Sequence, residues 1–222
     1  MDIKELKERY AAGERDFTGV DLSGVDLSGA VWDENENPVG APNLSGINLS
    51  RAKLHQSRLV GICFSNANLS SANLIRADLS RADFSHANLR CCDLESANLW
   101  KASFCNAILE DANLGHCDIS CADFSRANLS NAGMNSTLLV RTNFSYANLS
   151  GVDLYASSIE DANWRGVNLS NAKLDAVVFE RVDLTNANLT EAWDADVDDC
   201  ILCNTTMPDG SIANNNRSFN KE

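Results

Sequence analysis

Cysteines are the residues of this chain whose spacing could support metal or redox chemistry. Cys200 and Cys203 form its single CxxC motif, a spacing that zinc sites commonly use. A structural zinc ion needs four ligands, and the chain has no second CxxC. Its histidines stand at unrelated positions: His55, His86 and His116. We therefore predict no metal site and no cofactor.

The eight cysteines are predicted to be free thiols in a reducing cytoplasm. No two of them lie twenty residues apart, so the repeat described below stacks no cysteine on another. The repeat also divides them into two groups. Three are predicted to point inward: Cys92, Cys117 and Cys200. Five are predicted to point outward: Cys63, Cys91, Cys105, Cys121 and Cys203.

Acidic residues are numerous, but their spacing does not favour acid–base catalysis. Asp78 and Asp118 share a position in the repeat, as do Asp83 and Asp123, yet each pair is forty residues apart. The repeat itself explains them as turn residues. Because the chain has no nucleophile–base pair and no phosphate-binding loop, we predict that it is not an enzyme.

Two nested periods, of five and twenty residues, dominate the chain. A large apolar residue recurs every five positions from Leu44 to Leu189, giving thirty consecutive centres. The residue two before each centre is usually Ala, and the one just before it is usually Asn or Asp. Every fourth centre, one in each twenty residues, is aromatic, in the series Phe64, Phe84, Phe104, Phe124, Phe144 and Trp164.

This periodicity matches neither a helix, whose apolar residues recur about every 3.6 positions, nor a strand, in which apolar and polar residues alternate. A fixed repeat indicates a solenoid, in which each unit buries its apolar face by stacking on its neighbours. Four five-residue sides complete one coil of twenty. The predicted fold class is thus an all-β solenoid, with aromatic rings and asparagine amides stacked as ladders.

Segments such as ANLSSANLIRADLSRADFSHANL resemble the pentapeptide-repeat family, whose pattern is A-(D/N)-L-x-x. The resemblance covers nearly the whole chain and implies a right-handed quadrilateral β-helix. The opening YAAGERDFTGVDLSG and the closing MPDGS are similar to cyanobacterial members, in particular the subgroup of a heterocyst-differentiation regulator.

The ends of the column are predicted to differ from its middle. Residues 1–13 read as an amphipathic capping helix, with Asp2 and Glu5 as a capping box and Gly13 as its stop. Residues 14–210 form a single column with a loop insertion near 33–42. Residues 211–222 are polar and are predicted to be a disordered tail.

Charge is concentrated at the ends of the chain. The net charge is −13, but residues 43–190 carry fourteen acids and twelve bases, a net of −2. This balance argues against nonspecific nucleic-acid binding, which needs clustered cations. No apolar run is long enough to span a membrane, so we expect a cytoplasmic protein that binds no membrane.

One side of the coil carries basic and apolar residues where the repeat normally offers Ser, Asn or Asp. This composition is typical of protein–protein contacts, although scattered exposed apolar residues are also common on protein surfaces. Tyr146 and Arg126, one coil apart on another side, form a second candidate. The residues of the predicted interaction surface are Arg81, Trp100, Lys101, Leu138, Val140, Arg141, Val178 and Arg181.

Three functions remain open at this point. The favoured prediction is a non-enzymatic scaffold that acts as a monomer or weak dimer and binds an unidentified protein partner, with regulation among the roles open to it. A second possibility, implied by the family resemblance, is a DNA mimic that inhibits DNA gyrase or topoisomerase. A third is a stress protein acting through exposed thiols or a metal.

Overall fold

The computed structural model describes residues 1–25 and 43–215. Within them the chain forms a stack of parallel coils, because residues twenty apart pair in register from Asn43 with Cys63 to Asn168 with Asn188. Successive coils are joined by backbone hydrogen bonds, such as Leu69 N–H to Asn88 O at 2.7 Å. The predicted period of twenty is therefore the length of one coil.

The interior of the column is filled by the residues that the repeat marks as inward. The centres and the small residues two positions before them are buried, from Leu44 to Leu189. Alanine is the usual small residue because one coil has room for four large side chains and four small ones at interior packing density. Thr137, Thr142 and Ser157 replace it in places and bond backbone carbonyls with their hydroxyls.

Each corner is a tight turn built from the polar residues of the repeat. Ala72 N–H bonds Leu69 O at 3.0 Å, and Ser70 N–H bonds the side chain of Asn68 at 3.1 Å. The residue between them, Ser71, has a φ of 57°, in the left-handed region. Asn and Asp just before the centre are thus explained by the side-chain-to-backbone bond that closes the turn.

Helix α1, Ile3–Ala11, covers the first coil. Asp2 caps it by accepting from Glu5 N–H at 2.7 Å, and Gly13 follows it with a φ of 94°. Leu6 is fully buried against the core. A helix capped by Asp2 is thus present where the sequence predicts one, and the bond from Glu5 N–H is the part of the predicted capping box that the structure shows. Tyr10 adds a tether, since its hydroxyl donates to Ser45 O at 3.2 Å.

The register shifts near both ends of the column. Asp16 pairs with Asn48, thirty-two residues on, so the intervening segment adds twelve residues to the usual twenty. The predicted loop insertion at 33–42 lies outside the described residues. At the other end Asp183 pairs with Ile201, an offset of eighteen.

Continuous strands are few because most coils are joined only through single paired residues. β1 (Leu138–Val140), β2 (Ser158–Glu160) and β3 (Val178–Glu180) form a parallel sheet on one side of the column. β4 (Thr205–Thr206) and β5 (Ile212–Ala213) form an antiparallel pair near the C-terminus.

The pairing of β4 with β5 contradicts the prediction that residues 211–222 form a disordered tail. β5 lies inside residues 211–222, and Asn215 N–H also bonds Leu202 O at 2.7 Å. Backbone pairing with β4 orders this stretch although its side chains are polar. Residues 216–222 lie outside the described residues. Within the described part, no helix combines the length and apolarity needed to cross a membrane.

Candidate functional site

The predicted interaction surface lies on one side of the column, which we call the arginine wall. It comprises residues 57–61, 77–81, 97–101, 117–121, 137–141, 157–161 and 177–181, stacked in register. Four of its basic residues stand at the corner where the chain leaves the wall, and each has a left-handed φ between 53° and 61°. They are Arg81, Lys101, Arg141 and Arg181.

In the lower part of the wall, residues 57–61, 77–81 and 97–101, Trp100 contacts two cations. The guanidinium of Arg81 lies 5.2 Å from its ring centroid, and the ammonium of Lys101 lies 4.3 Å away. The indole therefore holds two cations at its faces through cation–π contacts. The indole nitrogen of Trp100 and both cations have no hydrogen-bond acceptor within the described residues.

Two further cations in the three lowest described coils of the wall were missed by the sequence prediction. Arg58 lies on the wall one coil below Arg81, and Arg76 stands at the corner where the chain enters the wall. Both are exposed, and neither makes an ion pair among the described residues. The register contained the signal, since Arg58 precedes the centre Leu59 where Asn or Asp is usual.

In the upper part of the wall, residues 137–141, 157–161 and 177–181, the arginines are paired with carboxylates. Arg181 donates to Asp161 at 2.6 Å and also pairs with Glu160, while Arg141 lies 4.0 Å from Asp161. The hydrogen bond from Arg181 lowers the pKa of Asp161, and the same bond raises the pKa of Arg181 further above its ordinary value. Asp161 and Glu160 were also missed as partners of the predicted arginines.

Strands β1 to β3 present the apolar residues of the wall. Leu138 pairs with Ser158, and Ser158 pairs with Val178, so the two apolar side chains flank a small one on a flat surface. Leu138 is 43% exposed and Val178 is 52% exposed. Val140 is only half-buried on the same sheet.

The eight predicted residues thus form two groups. Arg81, Trp100 and Lys101 make the lower group, and the other five make the upper one. The coil of residues 117–121 separates them.

The second predicted candidate has Arg126 and Tyr146 one coil apart. Arg126 makes no ring contact with Tyr146 among the described residues. Tyr146, 64% exposed, lies instead over Gly166, where an added Cβ would approach its ring to 2.7 Å. Glycine at this position therefore makes room for the tyrosine ring.

The repeat of this chain matches a known protein family. The family model described as "Pentapeptide repeats" matches in eight copies between residues 41 and 191, in the ranges 41–70, 62–100, 87–123, 101–135, 122–161 and 156–191. The chain belongs to the pentapeptide repeat family. No curated protein matched the chain.

Several solved pentapeptide repeat structures are similar to this one. HetL, involved in heterocyst differentiation regulation in the cyanobacterium Nostoc sp. strain PCC 7120, is 30% identical, with 96% of this chain and 100% of HetL covered and a TM-score of 0.65. QnrB1, a plasmid-mediated fluoroquinolone resistance protein, is 16% identical over 87% of this chain and 92% of its own, with a TM-score of 0.42. A thylakoid-lumen protein of Arabidopsis thaliana is 29% identical over 50% of this chain and 66% of its own, with a TM-score of 0.25.

The cysteines of this pentapeptide repeat protein divide as predicted. Cys92, Cys117 and Cys200 are buried, and the other five are exposed or half-buried. Burial raises the pKa of Cys117 to about 12 and also raises the pKa of Cys92. Cys200 and Cys203 do not converge, since one is buried and the other exposed. The described residues hold no cluster of three potential metal ligands.

Proposed function

We propose that this pentapeptide repeat protein is a non-enzymatic, cytoplasmic scaffold that binds a protein partner through the arginine wall. The observation that carries the proposal is the pair of exposed apolar residues on the flat sheet, Leu138 and Val178. At the same position in the repeat, other coils of this wall carry Arg58, Asp78 and Asn98. We also propose that the column has the right-handed, four-sided form of solved family members.

The wall has the composition of a protein interface. Leu138 and Val178 lie on the two outer strands with Ser158 between them, and the ion pairs of Arg141 and Arg181 with Asp161 lie at the corner that follows the strands. Protein interfaces generally combine an apolar centre with a polar rim, and arginine and tryptophan are enriched in them. Parallel strands joined to coils on both sides give such a surface little freedom to deform.

The filled interior favours binding at the outer surface rather than catalysis. Centres such as Phe104 and Leu109 are fully buried, and the small residues between them are buried as well. A cleft of about 260 Å³ lies beside Arg9 and Phe17, but Arg9 already bonds Glu5 and Glu14 there.

The similarity to HetL supports a regulatory setting for the scaffold. That protein is involved in the regulation of heterocyst differentiation, and its full length is covered at a TM-score of 0.65. The partner of the present chain would be a protein of a regulatory pathway. We propose a monomer or weak dimer in this role, since helix α1 covers one end of the column.

The DNA-mimic alternative is less well supported. A mimic needs acidic walls, whereas residues 57–61, 77–81 and 97–101 carry three cations and one carboxylate. A DNA supercoiling assay with purified gyrase tests this alternative directly. Inhibition at stoichiometric protein would favour the mimic over the scaffold.

Affinity capture from a lysate of the source organism tests the scaffold with two matched variants. Leu138→Ser/Val178→Ser removes the apolar pair from the arginine wall. Ile108→Ser/Tyr155→Ser is the control, because Ile108 and Tyr155 are 43% and 55% exposed on other sides of the column. Both double variants change the same kind of exposed surface without touching a core residue.

We expect a specific partner to be retained by wild type and by the control variant and lost by Leu138→Ser/Val178→Ser. Circular dichroism should show that both variants keep the wild-type fold. A partner that all three proteins capture equally would move the binding surface away from the arginine wall.

A further inference from the structure

We infer that the lower part of the arginine wall binds an acidic, extended segment of the partner protein. We call this part the cation cluster and define it as Arg58, Arg76, Arg81, Trp100 and Lys101. The inference rests on the proposed scaffold function and specifies the chemistry that the partner must present there: consecutive carboxylate side chains.

The charge of the cluster is opposite to that of the protein. Four cations stand in the three coils of residues 56–61, 76–81 and 96–101, and Asp78 is the one acid there, so these residues carry a net charge of +3. The whole chain carries −13. A local field of this sign attracts an acidic segment and repels further basic ones.

The bonding state of the cluster favours a ligand that supplies only acceptors. The four cations make no ion pair among the described residues. Asp78 is already engaged, because Asn98 donates to it at 3.2 Å and Ser80 N–H does so at 3.2 Å. The cluster therefore offers donors, and carboxylates would satisfy them with charge-assisted bonds.

Trp100 makes the cluster more than a set of mobile surface cations. Its ring lies 5.2 Å from the Arg81 guanidinium and 4.3 Å from the Lys101 ammonium, which restrains both side chains before any ligand arrives. Restraint of this kind reduces the entropy lost on binding. The upper arginines are different, since Arg181 is already bonded to Asp161 at 2.6 Å.

The size of the cluster suits a peptide better than a nucleic acid. From the coil of Arg58 to that of Lys101 there are two coil steps, about 10 Å at the usual spacing of paired strands. That length matches about three residues of an extended chain. Tight nucleic-acid binding commonly uses about six to ten phosphate contacts, more than four cations over this height supply.

Fluorescence anisotropy with a labelled Glu- and Asp-rich peptide of about eight residues, long enough to cross the cluster at ~3.3 Å per residue, tests the inference. The test variant is Arg81→Gln/Lys101→Gln. The control is Arg51→Gln/Arg126→Gln, which removes two exposed corner arginines without ion pairs, with φ of 58° and 60°, from other sides of the column. Both variants lower the net charge by two.

We expect wild type and control to bind the peptide alike and the test variant to bind about tenfold more weakly. Raising salt from about 50 to about 200 mM should weaken wild-type binding through screening. No measurable binding at low salt, or an equal loss in both variants, would overturn the inference. Tighter binding of a DNA duplex than of the peptide would also overturn it.

Sedimentation velocity tests whether a second copy of this chain occupies the cation cluster. A second copy is a candidate because both ends of the chain are acidic. Concentration-dependent association that Arg81→Gln/Lys101→Gln abolishes would replace the separate partner with self-association and overturn the inference. A constant sedimentation coefficient supports it.

The two proposals can fail separately. Loss of the captured partner by Leu138→Ser/Val178→Ser, with no localised peptide binding, would leave the scaffold function intact and overturn the acidic-segment inference. Peptide binding that depends on Arg81 and Lys101, without a partner that depends on the sheet, would support the cation cluster and overturn the apolar surface.

Discussion

The rings of Phe104 and Phe124 lie with their centroids 4.5 Å apart and their planes 4° from parallel. They form the middle of a ladder in which each coil places an aromatic ring on the one below. The ladder changes at its top, where Trp164 tilts by 57° against Phe144. The buried indole nitrogen of Trp164 has no hydrogen-bond partner among residues 1–25 and 43–215, so the larger ring enters the ladder at a polar cost.

Removing one aromatic ring from the middle of the ladder should destabilise the protein. Phe104→Ala removes a fully buried ring between two stacked neighbours, so we expect the free energy of unfolding to fall by about 3–5 kcal/mol. Urea unfolding followed by circular dichroism measures the change. Tyr155→Ala is the exposed control and should stay within about 0.5 kcal/mol of wild type. A loss below about 1 kcal/mol for Phe104→Ala would mean that the column closes around the gap.

Completing the asparagine ladder should stabilise the column. Asn148 donates to Asn128 at 3.0 Å and Asn168 to Asn148 at 3.0 Å, but Ile108 interrupts the series below them. Ile108→Asn supplies the missing amide at a 43% exposed position, so little apolar burial is lost. We expect a gain of about 0.5–1 kcal/mol in unfolding free energy.

The same urea titration gives the comparison for this ladder. Asn148→Ala removes an interior amide that both donates and accepts, and we expect it to cost about 1–2 kcal/mol. A lower unfolding midpoint for Ile108→Asn than for wild type would show that the isoleucine contributes more than the amide.

Thiol reactivity should follow the direction in which each cysteine points. In the folded protein a thiol-specific chromogenic disulfide should react quickly with Cys91, Cys121 and Cys203 and more slowly with Cys63 and Cys105. The three buried thiols should react only after unfolding in guanidinium: Cys92, Cys117 and Cys200.

Repeating the titration with zinc tests the thiol or metal hypothesis. We expect the same number of reactive thiols with and without the ion, because no described cysteine lies among enough ligands. Protection of Cys203 together with another thiol would favour a metal-linked function.

Acid should weaken the arginine wall through Asp161. The hydrogen bond from Arg181 lowers the pKa of Asp161 in the folded state. Its contribution to stability is therefore present above the ordinary aspartate value of about 3.9 and is lost as pH falls through the lowered folded value. Wild type should lose more stability than Asp161→Asn between about pH 5 and about pH 2.

Urea midpoints for the two proteins across this range measure the effect. Equal losses in wild type and Asp161→Asn would show that the bond from Arg181 contributes nothing to folding. The effect should also shrink at high salt, because both side chains are partly exposed.

Sequence reasoning located the residues of the candidate surface but not their relationships. The periods of five and twenty placed Arg81, Lys101, Arg141 and Arg181 at the same corner of their coils, and each has a left-handed φ there. It did not show that Trp100 holds the first two cations while Asp161 neutralises the others. Those contacts depend on side-chain rotamers, and a repeat register does not specify rotamers.

The sequence by itself determined the period, the inward and outward faces, the capping helix and the stacked ladders. It could do so because every unit repeats the same local choice, and stacking identical units buries them all in the same way. The tertiary structure decided the rest. It ordered Ile212–Ala213 by pairing with Thr205–Thr206 and divided the arginine wall into a matched half and an unmatched half. Both results depend on contacts between residues that depart from the repeat, for which the repeat holds no rule.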